Sequence, residues 1–197
     1  MPSDAISDLV AARSAEIIET RRFFHGIPEL GFEENETAKA IVERLTAAGL
    51  EVETGIGKTG LVGVLKGAKE GPTLMIRADI DGLPVDELTG LDFASTNGRM
   101  HACGHDGHIT MAVTAAEILA DMRDQLAGTL IFVFQPAEEI VTGALAMIDD
   151  GLFEKYPADR VIGTHLWNPI PTGTIGVNRA TVFASADQFR LTVHGKG

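Results

Sequence analysis

TLIFVF, residues 129–134, is continuously apolar after its opening threonine, and it follows Gly128. Such a run predicts a strand that is covered on both faces of a sheet. TLMIRAD at residues 73–79 predicts an earlier strand, and the segment between the two runs predicts a helix because its apolar residues recur every three or four positions. The apolar positions of that helix are Ile109, Ala112, Val113, Ala116 and Leu119. This order of strand, helix and strand is typical of an α/β fold.

The segments on either side continue the alternation of helices and strands. Apolar spacing predicts a first helix that runs to about Phe24 and a second helix over residues 35–49. LVGVLKG at residues 61–67 and VIGTHLW at residues 161–167 predict further strands, and a short helix is expected before Gly151. We therefore predict an α/β fold in which helices flank a doubly wound, largely parallel sheet.

The last residues follow a different pattern. Phe189, Leu191 and Val193 alternate with polar residues, which predicts a half-buried strand, and turn residues follow at 195–197. Because no further strand follows to cover this apolar face, we expect a truncated chain or a domain fragment.

Composition limits the class of protein and its partners. The 197 residues carry a formal net charge of −12, and 45% of them are hydrophobic. This charge argues against nucleic acid and anionic membranes as partners, because both require clustered lysine and arginine. One cysteine permits no disulfide within the chain, the N-terminal residues do not resemble a signal peptide, and no apolar run approaches the roughly 20 residues that cross a bilayer. We therefore expect a protein of the reducing cytoplasm.

The densest group of chemically active side chains is HACGHDGH at residues 101–108. It contains three histidines and the only cysteine of the chain. A lone cysteine is usually a small buried hydrophobe, and a lone histidine usually makes an ordinary hydrogen bond. Thiolate and imidazole together, however, are preferred ligands of zinc and similar metals. Their density favours a metal site.

Further candidate ligands follow the predicted strands. Asp79 and Asp81 close one strand, Glu138 and Glu139 follow the next, and His165 lies near the end of the third. Taken singly, the aspartates suit a turn, the glutamates suit the first turn of a helix, and the histidine suits a core. Ligands of open α/β sheets, however, gather at the carboxyl ends of strands. Together with the cluster, these side chains suffice for two metal ions and for a carboxylate that accepts a proton from water.

Several of these motifs resemble those of one known family. They occur in the order of that family across nearly the whole chain: HGIPELGFEE (25–34), RADIDGLPV (77–85), MHACGHDGH (100–108), FQPAEE (134–139), GTHLW (163–167) and VHGKG (193–197). The sequence resembles the cytoplasmic metal-dependent amidohydrolases that include hippurate hydrolase, N-acyl-amino-acid amidohydrolases and auxin-conjugate hydrolases. That family belongs to the zinc-carboxypeptidase and aminoacylase superfamily.

The resemblance implies a role for each matching residue. It implies that the metal ligands are Cys103, His105, Glu139 and His165, with the cysteine bridging two divalent ions. It also implies that Glu138 is the general base. Asp81 takes a supporting role beside the ligands. His101 and His108 are not first-choice ligands. Manganese or zinc is the expected metal, and cobalt or nickel also suits these ligand types.

The resemblance also implies a domain organisation. In this family a smaller lid and dimerisation domain interrupts the catalytic domain. Residues 1–180 then correspond to the N-terminal part of the zinc-peptidase-like catalytic domain, and residues 181–197 to the first strand of the lid. A further histidine ligand, most of the substrate pocket and a lid histidine would lie outside these residues. We therefore expect the 197-residue chain alone to be weakly active or inactive, and the full-length protein to form a homodimer or homotetramer through its lid.

The resulting hypothesis is hydrolysis of the amide bond of N-acyl or N-aroyl amino acids such as hippurate. A deacetylase of N-acetyl-diaminopimelate, a dipeptidase and a non-catalytic metal-binding fragment are the alternatives. A dinucleotide-binding domain is disfavoured because GxGxxG is absent, and a nucleobase deaminase is disfavoured because its HxE and PCxxC motifs are absent.

Overall fold

The computed structural model describes residues 3–177, 181–182, 185 and 189–196. Its elements are α1 (Ser3–Ala12), α2 (Ser14–His25), α3 (Asn35–Ala47), β1 (Glu51–Thr54), β2 (Leu61–Lys66), β3 (Lys69–Asp79), α4 (His105–Asp121), a short 3-10 helix (Arg123–Gln125), β4 (Ala127–Gln135), α5 (Gly143–Asp149), α6 (Leu152–Lys155) and β5 (Arg160–Gly163). The chain divides into a unit that ends at Leu166, which contains all of these elements, and a second unit that begins at Trp167.

The five strands form one mixed sheet in the order β1-β2-β4-β3-β5. β3, β4 and β5 are parallel, whereas β2 is antiparallel to β4 and β1 is antiparallel to β2. The predicted α/β fold is confirmed, but the sheet is less parallel than predicted. A parallel connection needs a dozen or more residues, and only Gly67 and Ala68 separate β2 from β3. These two strands must therefore run in opposite directions.

Helices cover both faces of the sheet, as the continuously apolar run in β4 predicted. Phe132 and Phe134 are fully buried against residues of α2, α3 and α4. Ile131 and Val133 point to the other face, where they pack with Met147 of α5 and other apolar side chains. Because successive side chains of a strand alternate between faces, an apolar residue is needed at every position of this strand. The apolar sequence of β4 therefore accounts for helices on both faces of the sheet.

Three expected elements differ from the structure. The strand predicted over residues 161–167 is shorter, since β5 spans Arg160–Gly163. The first predicted helix is divided into α1 and α2 at Arg13. Residues 189–196 are neither helix nor strand, and Phe189 is 93% exposed. An apolar alternation becomes a strand only when a second strand completes the hydrogen-bond ladder, and the described residues supply none for this segment. Residues 183–184, 186–188 and 197 of the expected lid strand lie outside the described residues, so the division at residues 180 and 181 stays a prediction.

The parallel strands determine where polar side chains meet. Asp79 at the end of β3 pairs with Gln135 at the end of β4, and Arg77 of β3 pairs with Gly163 at the end of β5. The residues that follow these strands therefore emerge at the same edge of the sheet. The N-terminus of α4, at His105, lies at this edge as well, since its ring contacts residues of β3 and of the loop after β4. Among the described residues, no helix is long and apolar enough to span a membrane.

Candidate metal centre

The structure brings the five predicted site residues together around His105. Cys103, His105 and His165 each offer a ligand atom, and these three atoms lie within 4.8 Å of one another. His105, Glu138 and Glu139 form a second group with the same property. The Cys103 Sγ atom is 3.4 Å from His165 Nε2. A loop before α4, the start of α4 and the ends of two parallel strands thus contribute to one cluster.

The His105 ring is fully buried, and its two nitrogens face different partners. Nδ1 lies 2.9 Å from the backbone oxygen of Asp81, which makes it the donor of that hydrogen bond. Nε2 then carries the lone pair and lies 3.8 Å from Glu138 Oε2 and 3.9 Å from Glu139 Oε1. Histidines that bind metals are commonly oriented in this way, with the second nitrogen hydrogen-bonded to a backbone carbonyl or a carboxylate.

Two of these buried atoms have no hydrogen-bond partner among the described residues. They are His105 Nε2 and Glu139 Oε1. Buried polar atoms in folded proteins nearly always have a partner, so such a facing pair needs an explanation. Their separation of 3.9 Å is below about 4.1 Å, the sum of a zinc–nitrogen and a zinc–oxygen bond, which is the upper limit for two ligands of one zinc ion. One divalent cation would satisfy both atoms, so the residues present fit a metal.

Burial and negative charge together oppose ionisation in this cluster. Burial, with the nearby carboxylates of Glu139, Glu138 and Asp79, raises the pKa of the Cys103 thiol to about 12. The pKa of Glu139 is also raised, mainly by burial and also by Glu138, although the charge of His105 opposes the shift. A cation reverses both effects, because it stabilises the thiolate and the carboxylate. The donor set is therefore suited to a metal at neutral pH.

His105 carries the opposite tendency. Burial lowers its pKa, but the hydrogen bond to Asp81 and the charges of Asp79 and Glu139 outweigh burial, and the pKa is raised. Protons and metal ions therefore compete for the same nitrogen, and low pH favours the proton.

The two adjacent glutamates differ in exposure. The side chain of Glu139 is 19% exposed and faces the buried ring of His105, whereas that of Glu138 is 39% exposed. Glu139 is held further by its own backbone N–H, which donates to Asp81 Oδ2 at 3.0 Å. An inner and an outer carboxylate at neighbouring positions suit different chemical roles.

Asp79 and His108 form a support behind the cluster. His108 Nδ1 is 2.5 Å from Asp79 Oδ1, and the backbone N–H of Leu166 donates to His108 Nε2 at 2.9 Å. Both ring nitrogens of His108 are thus engaged in hydrogen bonds. Burial alone would raise the pKa of Asp79, but the His108 hydrogen bond and the charges of His105 and Arg77 lower it to about 2. This chain of contacts ties β3 to the residue after His165.

Sequence reasoning missed a second buried polar network at the start of α4. His25 Nδ1 lies 2.7 Å from Asp106 Oδ2, and His25 Nε2 lies 3.0 Å from Glu87 Oε1. Arg21 also donates to Asp106 at 2.8 Å. The only sequence signal is that His25 and Asp106, 81 residues apart, both lie in motifs that resemble the amidohydrolase family. This network anchors the helix that begins with His105.

His101 lies outside the cluster of ligand atoms. Its side chain is buried, and neither ring nitrogen has a hydrogen-bond partner among the described residues. Burial lowers its pKa to about 4, although the charge of Asp106 acts in the opposite direction. His101 belongs to none of the candidate ligand groups among the described residues, and its secondary role stays a prediction.

Comparison with known proteins agrees with the motifs. The chain is 44% identical over 186 residues to hippurate hydrolase from Campylobacter jejuni, which covers 92% of this chain and 47% of that protein. It is 40% identical over 199 residues to N-acyl-L-amino acid amidohydrolase from Geobacillus stearothermophilus, which covers 100% of this chain and 53% of that protein. The chain thus spans about half the length of the curated relatives it matches.

A solved structure and a family model complete the comparison. The YXEP protein of Bacillus subtilis, described as a dinuclear metal binding peptidase from the M20 family, superposes with a TM-score of 0.79 at 42% identity. The match covers 85% of this chain and 47% of that protein. The family model described as "Peptidase family M20/M25/M40" matches residues 75–193, which is 119 of the 197 residues. The resemblance to metal-dependent amidohydrolases is confirmed, and the chain belongs to peptidase family M20/M25/M40.

Proposed function

We propose that this chain is the metal-binding part of an enzyme that hydrolyses the amide bond between an acyl or aroyl group and an amino acid, as in hippurate. The observation that carries the proposal is a facing pair of buried atoms, His105 Nε2 and Glu139 Oε1, which have no hydrogen-bond partner in the part of the chain that the structure describes. The close pair of Cys103 and His165 lies beside them. Relatives named hippurate hydrolase and N-acyl-L-amino acid amidohydrolase support the substrate class.

In this proposal Cys103, His105, Glu139 and His165 would hold two divalent ions. The name of the Bacillus subtilis neighbour supports a dinuclear site. Manganese or zinc is the proposed metal, because both accept a donor set of thiolate, imidazole and carboxylate. Bound metal polarises the substrate carbonyl and lowers the pKa of water.

Glu138 is the proposed general base. Its carboxylate accepts a proton from water as the water oxygen adds to the carbonyl carbon of the amide. The same proton then passes from Glu138 to the amide nitrogen, the carbon–nitrogen bond breaks, and the products are a carboxylic acid and a free amino acid. Two features of the side chain support this role: it is 39% exposed, and it lies 3.8 Å from the ring of His105. It is therefore close to the ligands but open to substrate.

The proposed function is tested by metal content and turnover measured together. The complete gene product that contains residues 1–197 is stripped with a chelator, reloaded with manganese, zinc, cobalt or nickel, and assayed with hippurate, N-acetyl-diaminopimelate and a dipeptide. We expect glycine release from hippurate in the reloaded protein only. Glu138→Ala should retain bound metal while turnover falls by about 10²- to 10⁴-fold, the usual contribution of a general base.

The alternatives predict different outcomes. Preferential cleavage of the acetylated substrate or of the dipeptide would replace the hippurate-like substrate with that alternative. Bound metal without hydrolysis of any of the three would favour the non-catalytic metal-binding protein. Full turnover by Glu138→Ala would contradict the assigned base.

A further inference from the structure

Glu34 is a buried carboxylate that none of the steps above uses. It immediately precedes α3, and the residue is fully buried. Burial raises its pKa, while hydrogen bonds from Thr59 and from the backbone act in the opposite direction. It lies outside the ligand groups around His105. A buried acid in this position calls for a role other than metal binding.

Both oxygens of Glu34 accept hydrogen bonds from distant parts of the chain. The hydroxyl of Thr59 donates to Oε2 at 2.5 Å, and the backbone N–H of Ala137 donates to Oε1 at 2.8 Å. Ala137 is 103 residues away in sequence and immediately precedes Glu138. Glu34 therefore connects the start of α3 to the segment that carries the proposed base.

Ala137 has an uncommon backbone conformation. Its φ is 49°, in the left-handed region that residues other than glycine seldom occupy. The residue is fully buried, and its carbonyl accepts a hydrogen bond from Gly143 N at 3.1 Å. A Cβ at Gly31 would lie 2.9 Å from Ala137 Cα, so the loop before α3 is packed directly against this turn. Packing and hydrogen bonds from two segments, the loop before α3 and the start of α5, thus maintain the conformation.

The backbone on both sides of Glu138 is held by buried carboxylates. The N–H of Ala137 donates to Glu34, and the N–H of Glu139 donates to Asp81 Oδ2 at 3.0 Å. Loss of the Asp81 carboxylate would also disturb His105, because Asp81 Oδ1 lies 3.3 Å from Nδ1 of that ring. Loss of the Glu34 contact would release only the side of the segment that precedes Glu138.

We propose that Glu34 is a positioning residue, which maintains the turn at Ala137 and thereby directs the Glu138 carboxylate toward the attacking water. This inference rests on the proposed function. Glu34 acts through Ala137 and does not touch substrate or metal. Removal of its carboxylate should therefore reduce kcat and leave metal binding intact, because Glu139 keeps its own anchor at Asp81.

The test compares four variants of the metal-loaded gene product with the wild type: Glu34→Ala, Glu34→Gln, Glu138→Gln and the double variant Glu34→Ala/Glu138→Gln. We expect Glu34→Ala to lower kcat by about 100-fold, the size of effect that a displacement of about 1 Å produces, with KM and metal content within threefold of wild type. Glu34→Gln should recover most of kcat, because its amide oxygen accepts the Ala137 N–H. In the Glu138→Gln background, Glu34→Ala should cause no further loss, because residues that act as one unit are non-additive.

Asp150→Ala is the control for loss of a carboxylate that accepts a distant backbone N–H. Asp150 is exposed, its Oδ2 accepts the N–H of Gly57 at 2.7 Å, and it belongs to none of the candidate ligand groups among the described residues. This variant should lose stability without losing kcat. If Glu34→Ala does not fold, Glu34→Asp replaces it, because the shorter side chain does not span both partners.

Three results would overturn the proposal. The first is a wild-type kcat in Glu34→Ala, and the second is a kcat in Glu34→Gln that is as low as in Glu34→Ala. The third is a kcat in the double variant that is about 100-fold below that of Glu138→Gln. Hydrogen exchange at the Ala137 amide separates this failure from failure of the proposed function. Exchange should accelerate in Glu34→Ala but not in Glu34→Gln, whether or not amides are hydrolysed. A wild-type protein that is inactive toward every amide would reject the function, and unchanged exchange would reject the contact itself.

Discussion

Alkylation of Cys103 measures directly how strongly the cluster opposes negative charge without a cation. The pKa of this thiol is raised from 9.0 to about 12 by burial and by the carboxylates of Glu139, Glu138 and Asp79. At pH 8 the thiolate fraction is then about 1000-fold smaller than that of an ordinary thiol. A more basic thiolate is also a better nucleophile, with a Brønsted slope of about 0.4 to 0.5, so about 20-fold of this deficit is regained. The metal-free protein should therefore react about 50-fold more slowly than an exposed cysteine.

The assay treats metal-free gene product with iodoacetamide from pH 7 to 11 and follows the peptide that contains Cys103 by mass spectrometry. The rate should continue to rise above pH 10 instead of levelling near 9. Glu139→Gln should increase the rate, because it removes a negative charge that raises the pKa. Added manganese or zinc should suppress the reaction, since the bound thiolate is no longer free to attack. A metal-free rate equal to that of a cysteine peptide, with a midpoint near pH 9, would refute the reasoning.

Three further predictions concern the support of the site and the fold. Since the pKa of Asp79 is lowered from 3.8 to about 2, its stabilising contribution is present above pH 4 and disappears as pH falls toward 2. Urea unfolding of the metal-free wild type should show this loss of stability. The Asp79→Asn variant should not show it. His108→Ala removes the link to Leu166 and should weaken metal binding by about 10- to 100-fold in calorimetric titration; unchanged affinity would show that the link is dispensable. Gly143→Ala places a Cβ 1.6 Å from the carbonyl oxygen of Pro136 and should lower the free energy of unfolding by about 1 to 3 kcal/mol or more. Gly163→Ala is the control, because its Cβ would have its nearest neighbour, an atom of Arg77, at 3.9 Å and should not clash.

Local sequence patterns were sufficient to predict the parts of the fold that local physics determines. The continuous apolar run of β4 identified a strand covered on both faces, and its burial confirms that reading. The carboxylates after β3 and β4 meet because parallel strands end at the same edge of the sheet. Their convergence with His105 followed from that topology.

Contacts between distant segments were not predictable in the same way. The hydrogen bond between Asp79 and His108 joins residues 29 apart, and the one between Glu34 and Ala137 joins residues 103 apart. No periodicity marks either pair. The left-handed conformation of Ala137 also has no sequence signal, because alanine does not favour it. The direction of β2, by contrast, is predictable from the two-residue link to β3.

Anomalous diffraction from crystals of the metal-loaded gene product tests the central claim most directly. The proposed centre requires two peaks at the manganese or zinc absorption edge, both within about 2.6 Å of Cys103 Sγ, with His105 Nε2 or Glu139 Oε1 within about 2.3 Å of a peak. Glu138→Ala crystals should show the same two peaks. Peaks bound by other side chains, or no peak at this cluster in a protein that hydrolyses hippurate, would contradict the claim.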